Sequence, residues 1–114
     1  MTPRDAVSIR QMLDHAEEAR LLAAGRSRVD LDSDRLFQLA MTRLLEIIGE
    51  AAARVSPAER DLFPQIAWPQ IVALRNRLIH GYDEVDCDIM WQIIEHDLPG
   101  LIQELRSIVD ALPE

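Results

Sequence analysis

The sequence predicts an all-α fold: an antiparallel bundle of four main helices, with one short extra helix and a kink in the last helix. Apolar residues recur at intervals of three and four along nearly the whole chain, as they do on the buried face of a helix. Aromatic residues make up only 4% of the chain, which argues against a β-sandwich or barrel. The length of 114 residues fits a single domain over residues 1–114 and is too short for a two-lobed enzyme.

Local signals set the bounds of the first two main helices. Thr2 is a favourable N-cap ahead of the first helix, and Gly25 is expected to end it. Asp32 or Ser33 caps the second helix, whose apolar face continues for about six turns. Gly49 lies inside this second helix, where a glycine indicates close packing against a neighbouring element.

The short helix and the third main helix follow. Ser56 and Glu59 form a capping box that opens the short helix. The third helix is predicted from about Pro69 to residue 79 or 80, because proline suits the first helical position and Gly81 suits a helix end.

The last helix carries a proline in its interior. Asp86 or Asp88 caps this helix. Pro99 has no N–H to donate to the Glu95 carbonyl, so we expect a kink, or a break into two stacked segments, at this point.

Charge and composition exclude several functional classes. The net charge of −8 argues against broad, sequence-blind binding of duplex nucleic acid, and no DNA partner is expected. The single cysteine, Cys87, excludes a disulfide framework and a Cys-based zinc site. No apolar run exceeds four residues, and the first residues lack the apolar stretch of a signal peptide. We therefore expect a cytoplasmic protein without a membrane partner.

Two patterns that suggest metal binding fail on inspection. Asp30, Asp32 and Asp34 alternate like the start of a calcium loop, but the glycine and the bidentate glutamate of such a loop are missing. His15 and His96 have no second ligand at helical spacing. No metal and no other cofactor is expected.

One segment combines chemistry-bearing side chains with an absence of acids. Residues 62–82 form the longest acid-free stretch of the chain, and they contain Arg75, Asn76, Arg77, His80 and Tyr82. Asn76 and His80 share one helix face, whereas Arg75 and His80 diverge by about 140° around a straight helix. The two converge only if the helix unwinds at Gly81 or if a second copy completes the site. A helix C-terminus that favours Arg and His explains the same residues equally well.

This segment resembles the HepT-like toxins of the HEPN superfamily. Their signature is an arginine, a polar residue, three further residues and a histidine, which corresponds here to Arg75, Asn76 and His80, followed by Tyr82. The flanks are similar as well, and the resemblance covers nearly the whole chain. The similar flanking segments are Glu46–Ala51, Trp68-Pro69, Gly81–Asp86, Trp91 and Leu98-Pro99.

The resemblance implies a metal-independent ribonuclease that is the toxin of a type VII toxin–antitoxin system. The implied partner is a minimal nucleotidyltransferase antitoxin, which neutralises the toxin by AMPylation of Tyr82. The implied active form is a homodimer in which two motifs face each other, with RNA as substrate.

The residue types suit that chemistry. His80 is the acid or base, since the ordinary pKa of histidine lies near neutrality. Arg75 holds the phosphate and stabilises transition-state charge, and Asn76 orients His80 or the substrate. Arg77 either adds to the local field, contacts RNA or points to solvent. Glu50 is either a buried acid paired with Arg75 or a solvated residue at a helix edge.

Two other functions fit the same sequence. One is a non-catalytic helical adaptor that binds a nucleotidyltransferase. The other is a nucleotide-binding partner of such an enzyme, without nuclease activity.

In the ribonuclease hypothesis, a dimer that faces two acid-free stretches together would double a small positive cleft inside an acidic body.

Overall fold

A computed structural model describes residues 1–81 and 84–113, and it confirms the all-α fold. The helices are α1 (Pro3–Ala23), α2 (Asp30–Ser33), α3 (Arg35–Arg54), α4 (Pro57–Asp61), α5 (Trp68–Val72), α6 (Leu74–Leu78), α7 (Cys87–Gln92) and α8 (Leu98–Asp110). One turn of π-helix, Ile93–Asp97, joins α7 to α8. Two short strands, β1 (Ile79–His80) and β2 (Glu84–Val85), pair antiparallel between α6 and α7.

The core lies between the long helices, with α1 packed along α3 and against α8. Apolar side chains from all three helices are fully buried there, including Met12, Leu45 and Leu105. Burial of one such side chain is worth about 1.5–3 kcal/mol, so this three-helix contact is the main source of stability.

A buried carboxylate joins the starts of α1 and α4. Thr2 caps α1 as predicted, since its Oγ1 accepts from the Asp5 N–H at 3.1 Å. The Asp5 carboxylate accepts from the backbone N–H of Ser56 at 2.9 Å and from the Ser56 hydroxyl at 2.7 Å. Ser56 Oγ accepts from the Glu59 N–H at 3.3 Å, as a capping box requires. The reciprocal bond to the Ser56 N–H comes from Asp5 instead of Glu59.

The start of the second main helix differs from the prediction. Asp32 and Ser33 lie inside the short helix α2 and do not cap α3. The N-cap of α3 is Asp34, whose Oδ1 accepts from the Phe37 N–H at 3.1 Å. The chain between α1 and α3 carries several acids that are all suitable caps. The choice among them is made by tertiary contacts, such as the bond of the Arg26 guanidinium to Asp34 at 2.9 Å.

Close packing at Gly49 sets the position of the later helices relative to α3. A Cβ added to Gly49 would lie 2.8 Å from the carbonyl oxygen of Ile71 in α5. Only glycine allows this approach, and it brings α5 and α6 against the middle of α3.

The irregularity predicted at Pro99 takes the form of the π turn, not of a break. The Leu98 N–H donates to the Ile93 carbonyl, five residues earlier. Pro99 then occupies the first turn of α8, where a helix tolerates a residue that has no N–H to donate. None of the helices in residues 1–81 and 84–113 has both the length and the apolar character needed to cross a membrane.

Candidate functional site

The helix that carries the arginine motif is shorter than predicted. It is interrupted at Ala73, and α6 ends at Leu78 because Ile79 takes an extended conformation with φ −108° and ψ 120°. The Asp86 N–H donates to the Leu78 carbonyl at 2.7 Å, so a residue outside α6 satisfies the carbonyl at the end of this helix. The expected single helix from Pro69 to residue 79 or 80 is therefore wrong. The helix does unwind, two residues before Gly81, which has the positive φ of 70° that favours glycine.

Arg75 projects into solvent from α6 and is tethered to α3. Its side chain is 74% exposed, and its Nε lies 3.8 Å from Oε2 of Glu46, which is only 17% exposed. Glu50 is not the partner of Arg75: it is exposed and pairs with Arg43 at 3.2 Å. Of the two alternatives for Glu50, the solvated one is right. Glu46, one turn earlier on α3, is the acid beside the motif.

Asn76 and Arg77 lie on different sides of α6. Asn76 is exposed, next to Arg75. Arg77 is half-buried, donates to the Gln70 carbonyl at 3.4 Å and lies 4.0 Å from the Asp97 carboxylate. Because two residues along a helix correspond to about 200°, Arg77 points away from Arg75, toward the π turn. This contact with the protein itself was not among the roles expected for Arg77.

His80 lies at the end of β1 and is held from the last helical stretch. Its side chain is 54% exposed, and its Nε2 lies 3.2 Å from Oδ2 of Asp86. The other carboxylate oxygen of Asp86 accepts from the Ile89 N–H at 3.0 Å, which confirms Asp86 as the cap of α7. The bond from the Ile89 N–H and, to a smaller extent, the contact with His80 lower the pKa of the Asp86 carboxyl. Sequence reasoning identified the cap but missed the contact with His80, which crosses a hairpin.

Arg75, Asn76 and His80 are therefore all exposed, but Arg75 and His80 have separate acidic neighbours. Arg75 lies near Glu46 of α3, and His80 is bonded to Asp86 at the N-terminus of α7. Within the described residues, no hydrogen bond links Arg75 or Asn76 to His80. Tyr82, the predicted modification site, lies outside the described residues.

The fold changes the electrostatics expected from the acid-free stretch. Glu46 approaches Arg75 from α3, and Asp86 approaches His80 from the start of α7. Each motif cation in a single chain thus has an acidic neighbour from outside residues 62–82. The positive cleft expected from the sequence belongs to a dimer and stays a prediction, but the acids beside Arg75 and His80 would lie next to it.

A pocket near the motif opens on the opposite side of α6 from Arg75. Its volume is about 570 Å³, it lies between α5, α6, the π turn and α8, and Arg77 lines it.

Cys87 is buried, and this burial raises the pKa of its thiol, as expected for a structural cysteine. In residues 1–81 and 84–113, no three His, Cys, Asp or Glu side chains converge as metal ligands would.

Comparison with known proteins assigns the chain to a family. The model of the family described as "Ribonuclease HepT-like" matches residues 12–108. A protein of Methanocaldococcus jannaschii named a "Putative RNase" is 36% identical over 76 residues, which cover 67% of this chain and 70% of the relative. A "Probable ribonuclease HepT" of Thermococcus cleftensis is 38% identical over 72 residues, which cover 63% of this chain and 66% of the relative. No solved structure matches the chain. Since the family model covers most of the sequence, including every motif residue, the chain belongs to the HepT-like ribonuclease family.

Proposed function

We propose that the protein is a metal-independent endoribonuclease that acts as a dimer and is the toxin of a type VII toxin–antitoxin pair. The observation that carries the proposal is that Arg75, Asn76 and His80 are all exposed in a chain of the HepT-like family. The printed names of the relatives, which describe ribonucleases, support the same activity.

The chemistry follows from what RNA brings to the site. The 2′-hydroxyl, which DNA lacks, is the nucleophile. His80 takes its proton, the O2′–P bond forms, and the P–O5′ bond breaks. The leaving O5′ is then protonated, and the products are a 2′,3′-cyclic phosphate and a 5′-hydroxyl. Arg75 stabilises the additional negative charge on the phosphate in the transition state.

The dimer supplies what one chain lacks, a second arginine–histidine set opposite the first. A stripe along α3 begins with two exposed leucines, Leu36 at 78% and Leu39 at 48% exposed. The stripe continues through Arg43 to Glu50 and passes Glu46, the residue that holds Arg75. We propose this α3 stripe as the dimer contact.

Charge along the α3 stripe favours a second copy as its occupant. Arg43 and Glu50 are seven residues, or about two turns, apart. A two-fold axis near residues 46 and 47 would place Arg43 opposite Glu50 of the second copy, and the reverse. The stripe is thus complementary to itself, as an isologous interface requires, and it would bring the two Arg75 side chains close to the axis.

Oligomeric mass tests the contact. The double variant Leu36→Glu, Leu39→Glu is expected to be monomeric in light scattering. The control is Leu21→Glu, Leu62→Glu, which changes two leucines that are 77% and 67% exposed away from the stripe. A wild-type monomer, or a Leu36→Glu, Leu39→Glu variant that is still a dimer, contradicts this interface.

The antitoxin step concerns Tyr82. We propose that a minimal nucleotidyltransferase transfers AMP from ATP to the Tyr82 hydroxyl, with release of pyrophosphate. Tyr82 follows His80 by two residues, so the added phosphate would compete with the RNA phosphate for the same surface. Co-expression with such a transferase should add whole AMP units to the intact mass, and Tyr82→Phe should abolish the gain.

RNA cleavage in EDTA tests the activity itself. Wild type should cut a mixed RNA substrate in the presence of the chelator, whereas His80→Ala should lose about 10²-fold or more of the rate. His96→Ala is the control, because His96 is equally an exposed histidine but lies in the π turn. Cleavage that requires a divalent metal, or that is equal in the two variants, contradicts the proposal.

A second candidate rests on the acids beside the motif. Glu46 and Asp86 already occupy Arg75 and His80, which favours a non-catalytic adaptor that presents Tyr82 to the transferase. An adaptor forms the complex with the transferase but cuts no RNA. Growth arrest on expression of the wild type, absent for Arg75→Ala, would exclude it.

A further inference from the structure

We propose that Asp86 is the positioning residue of the site: it holds the His80 ring so that Nε2 carries the hydrogen and Nδ1 is the nitrogen that exchanges a proton with RNA. The inference rests on the proposed ribonuclease function, but its first test requires no RNA.

Asp86 is fixed at two points, so it can define the direction of another side chain. Its N–H donates to the Leu78 carbonyl at 2.7 Å, and its Oδ1 accepts from the Ile89 N–H at 3.0 Å. With these two bonds in place, its Oδ2 faces His80 Nε2 at 3.2 Å. One residue thus connects the end of α6, the strand pair and the first turn of α7.

The chemistry of a carboxylate decides which ring nitrogen is protonated. An ionised carboxylate only accepts hydrogen bonds, so the nitrogen that faces it must carry the hydrogen. The N-cap bond from Ile89 lowers the pKa of Asp86 and keeps this carboxylate ionised. Neutral His80 is therefore the Nε2–H tautomer, with the lone pair on Nδ1.

The assignment also fits both directions of proton transfer. Nδ1 accepts the 2′-hydroxyl proton as the O2′–P bond forms, and the imidazolium produced is stabilised by the Asp86 carboxylate on its other side. In an in-line displacement O5′ leaves on the side of phosphorus opposite O2′, so its proton comes from Nδ1–H of a protonated His80 in the second copy as the P–O5′ bond breaks. No proton passes to Asp86 in either step.

The substitution Asp86→Asn reverses the tautomer without removing the cap. If the amide oxygen keeps the bond from the Ile89 N–H, the amide NH₂ faces His80 and donates to Nε2. The hydrogen of neutral His80 then has to move to Nδ1, the atom assigned to catalysis. Asp86→Ser is the companion variant, because serine also caps a helix but is too short to reach His80.

Long-range ¹H–¹⁵N NMR of the full chain without RNA measures the tautomer directly, with His15 and His96 as internal references. The expected result is an Nε2–H pattern for His80 in the wild type and an Nδ1–H pattern in Asp86→Asn. The matched control, Asp34→Asn, changes the N-cap of α3 and should leave the His80 pattern unchanged. The same His80 pattern in wild type and Asp86→Asn would overturn the inference, whether or not the protein cuts RNA.

Kinetics provide the second arm. Asp86→Asn should lower kcat about 10²-fold or more with little change in KM, and Asp86→Ser should lie between it and wild type. Wild-type kcat in a folded Asp86→Asn variant would overturn the positioning role and leave the ribonuclease function intact. Absence of cleavage by the wild type would overturn the proposed function, and the NMR result would still decide the tautomer.

Discussion

The core region, formed by α1, α3 and α8, and the site region, formed by residues 74–81 and 84–89, are built in opposite ways. The core region uses helices of 21, 20 and 13 residues with continuous buried faces. The site region uses a five-residue helix, two-residue strands and exposed ionic side chains. The difference indicates that the core carries most of the stability of the fold, whereas the site region adds a few buried side chains, such as Leu74 and Leu78, and presents its functional groups to solvent.

The largest expected effect comes from a change in the core region. Leu45 is fully buried in α3, and Leu45→Ala should cost about 2–5 kcal/mol of unfolding free energy because it leaves a cavity. Urea unfolding measures the loss. Leu21→Ala, on the exposed side of α1 and outside the α3 stripe, should change the value by less than about 0.5 kcal/mol. Equal losses would contradict the division between buried and exposed helix faces.

A smaller effect is expected where a polar contact reaches into the core. Asp5 is 3% exposed, and the N–H and the hydroxyl of Ser56 lower the pKa of its carboxyl. Asp5→Asn should cost about 1–3 kcal/mol at pH 7, since it removes a charged acceptor from two buried donors. Asp14→Asn, an exposed change in the same helix, is the control.

The pH dependence of the Asp5 effect has a defined sign. A group whose folded-state pKa is lowered contributes stability above its unfolded-state pKa, near 4 for aspartate, and loses it as pH falls through the folded-state value. The difference in unfolding free energy between wild type and Asp5→Asn should therefore shrink below about pH 4. A difference that is constant from pH 7 to pH 3 would contradict the role of the ionised carboxylate.

The smallest effect is expected at the tether of Arg75. Glu46→Gln removes the negative charge beside Arg75, so the guanidinium is no longer shared between Glu46 and an RNA phosphate. We expect KM for RNA to fall about twofold to fivefold at low salt, and less at high salt, while stability changes by under about 1 kcal/mol. Glu17→Gln, whose partner is Arg106 in α8, is the control. A rise in KM would show that Glu46 assists Arg75 instead of competing for it.

The two regions also differ in how far sequence predicts them. The long helices follow from local periodicity and caps such as Thr2, because those signals act within one turn of the chain. The strand pair and the short α6 do not, since the bond from Asp86 to the Leu78 carbonyl depends on how the hairpin folds back. The motif, through its resemblance to the family signature, identified Arg75 and His80 as candidate site residues. Their acidic neighbours, Glu46 and Asp86, could be assigned only after α3 and α7 had been placed in space.

Cleavage of RNA through the 2′-hydroxyl can be tested most directly with a pair of substrates. The wild type is incubated in EDTA with an RNA oligonucleotide and with its fully 2′-O-methylated counterpart, and the product ends are analysed by mass spectrometry. Only the RNA should be cleaved, with 2′,3′-cyclic phosphate and 5′-hydroxyl ends. Cleavage of the methylated strand, or products with 3′-hydroxyl and 5′-phosphate ends, would show that the 2′-hydroxyl is not the nucleophile.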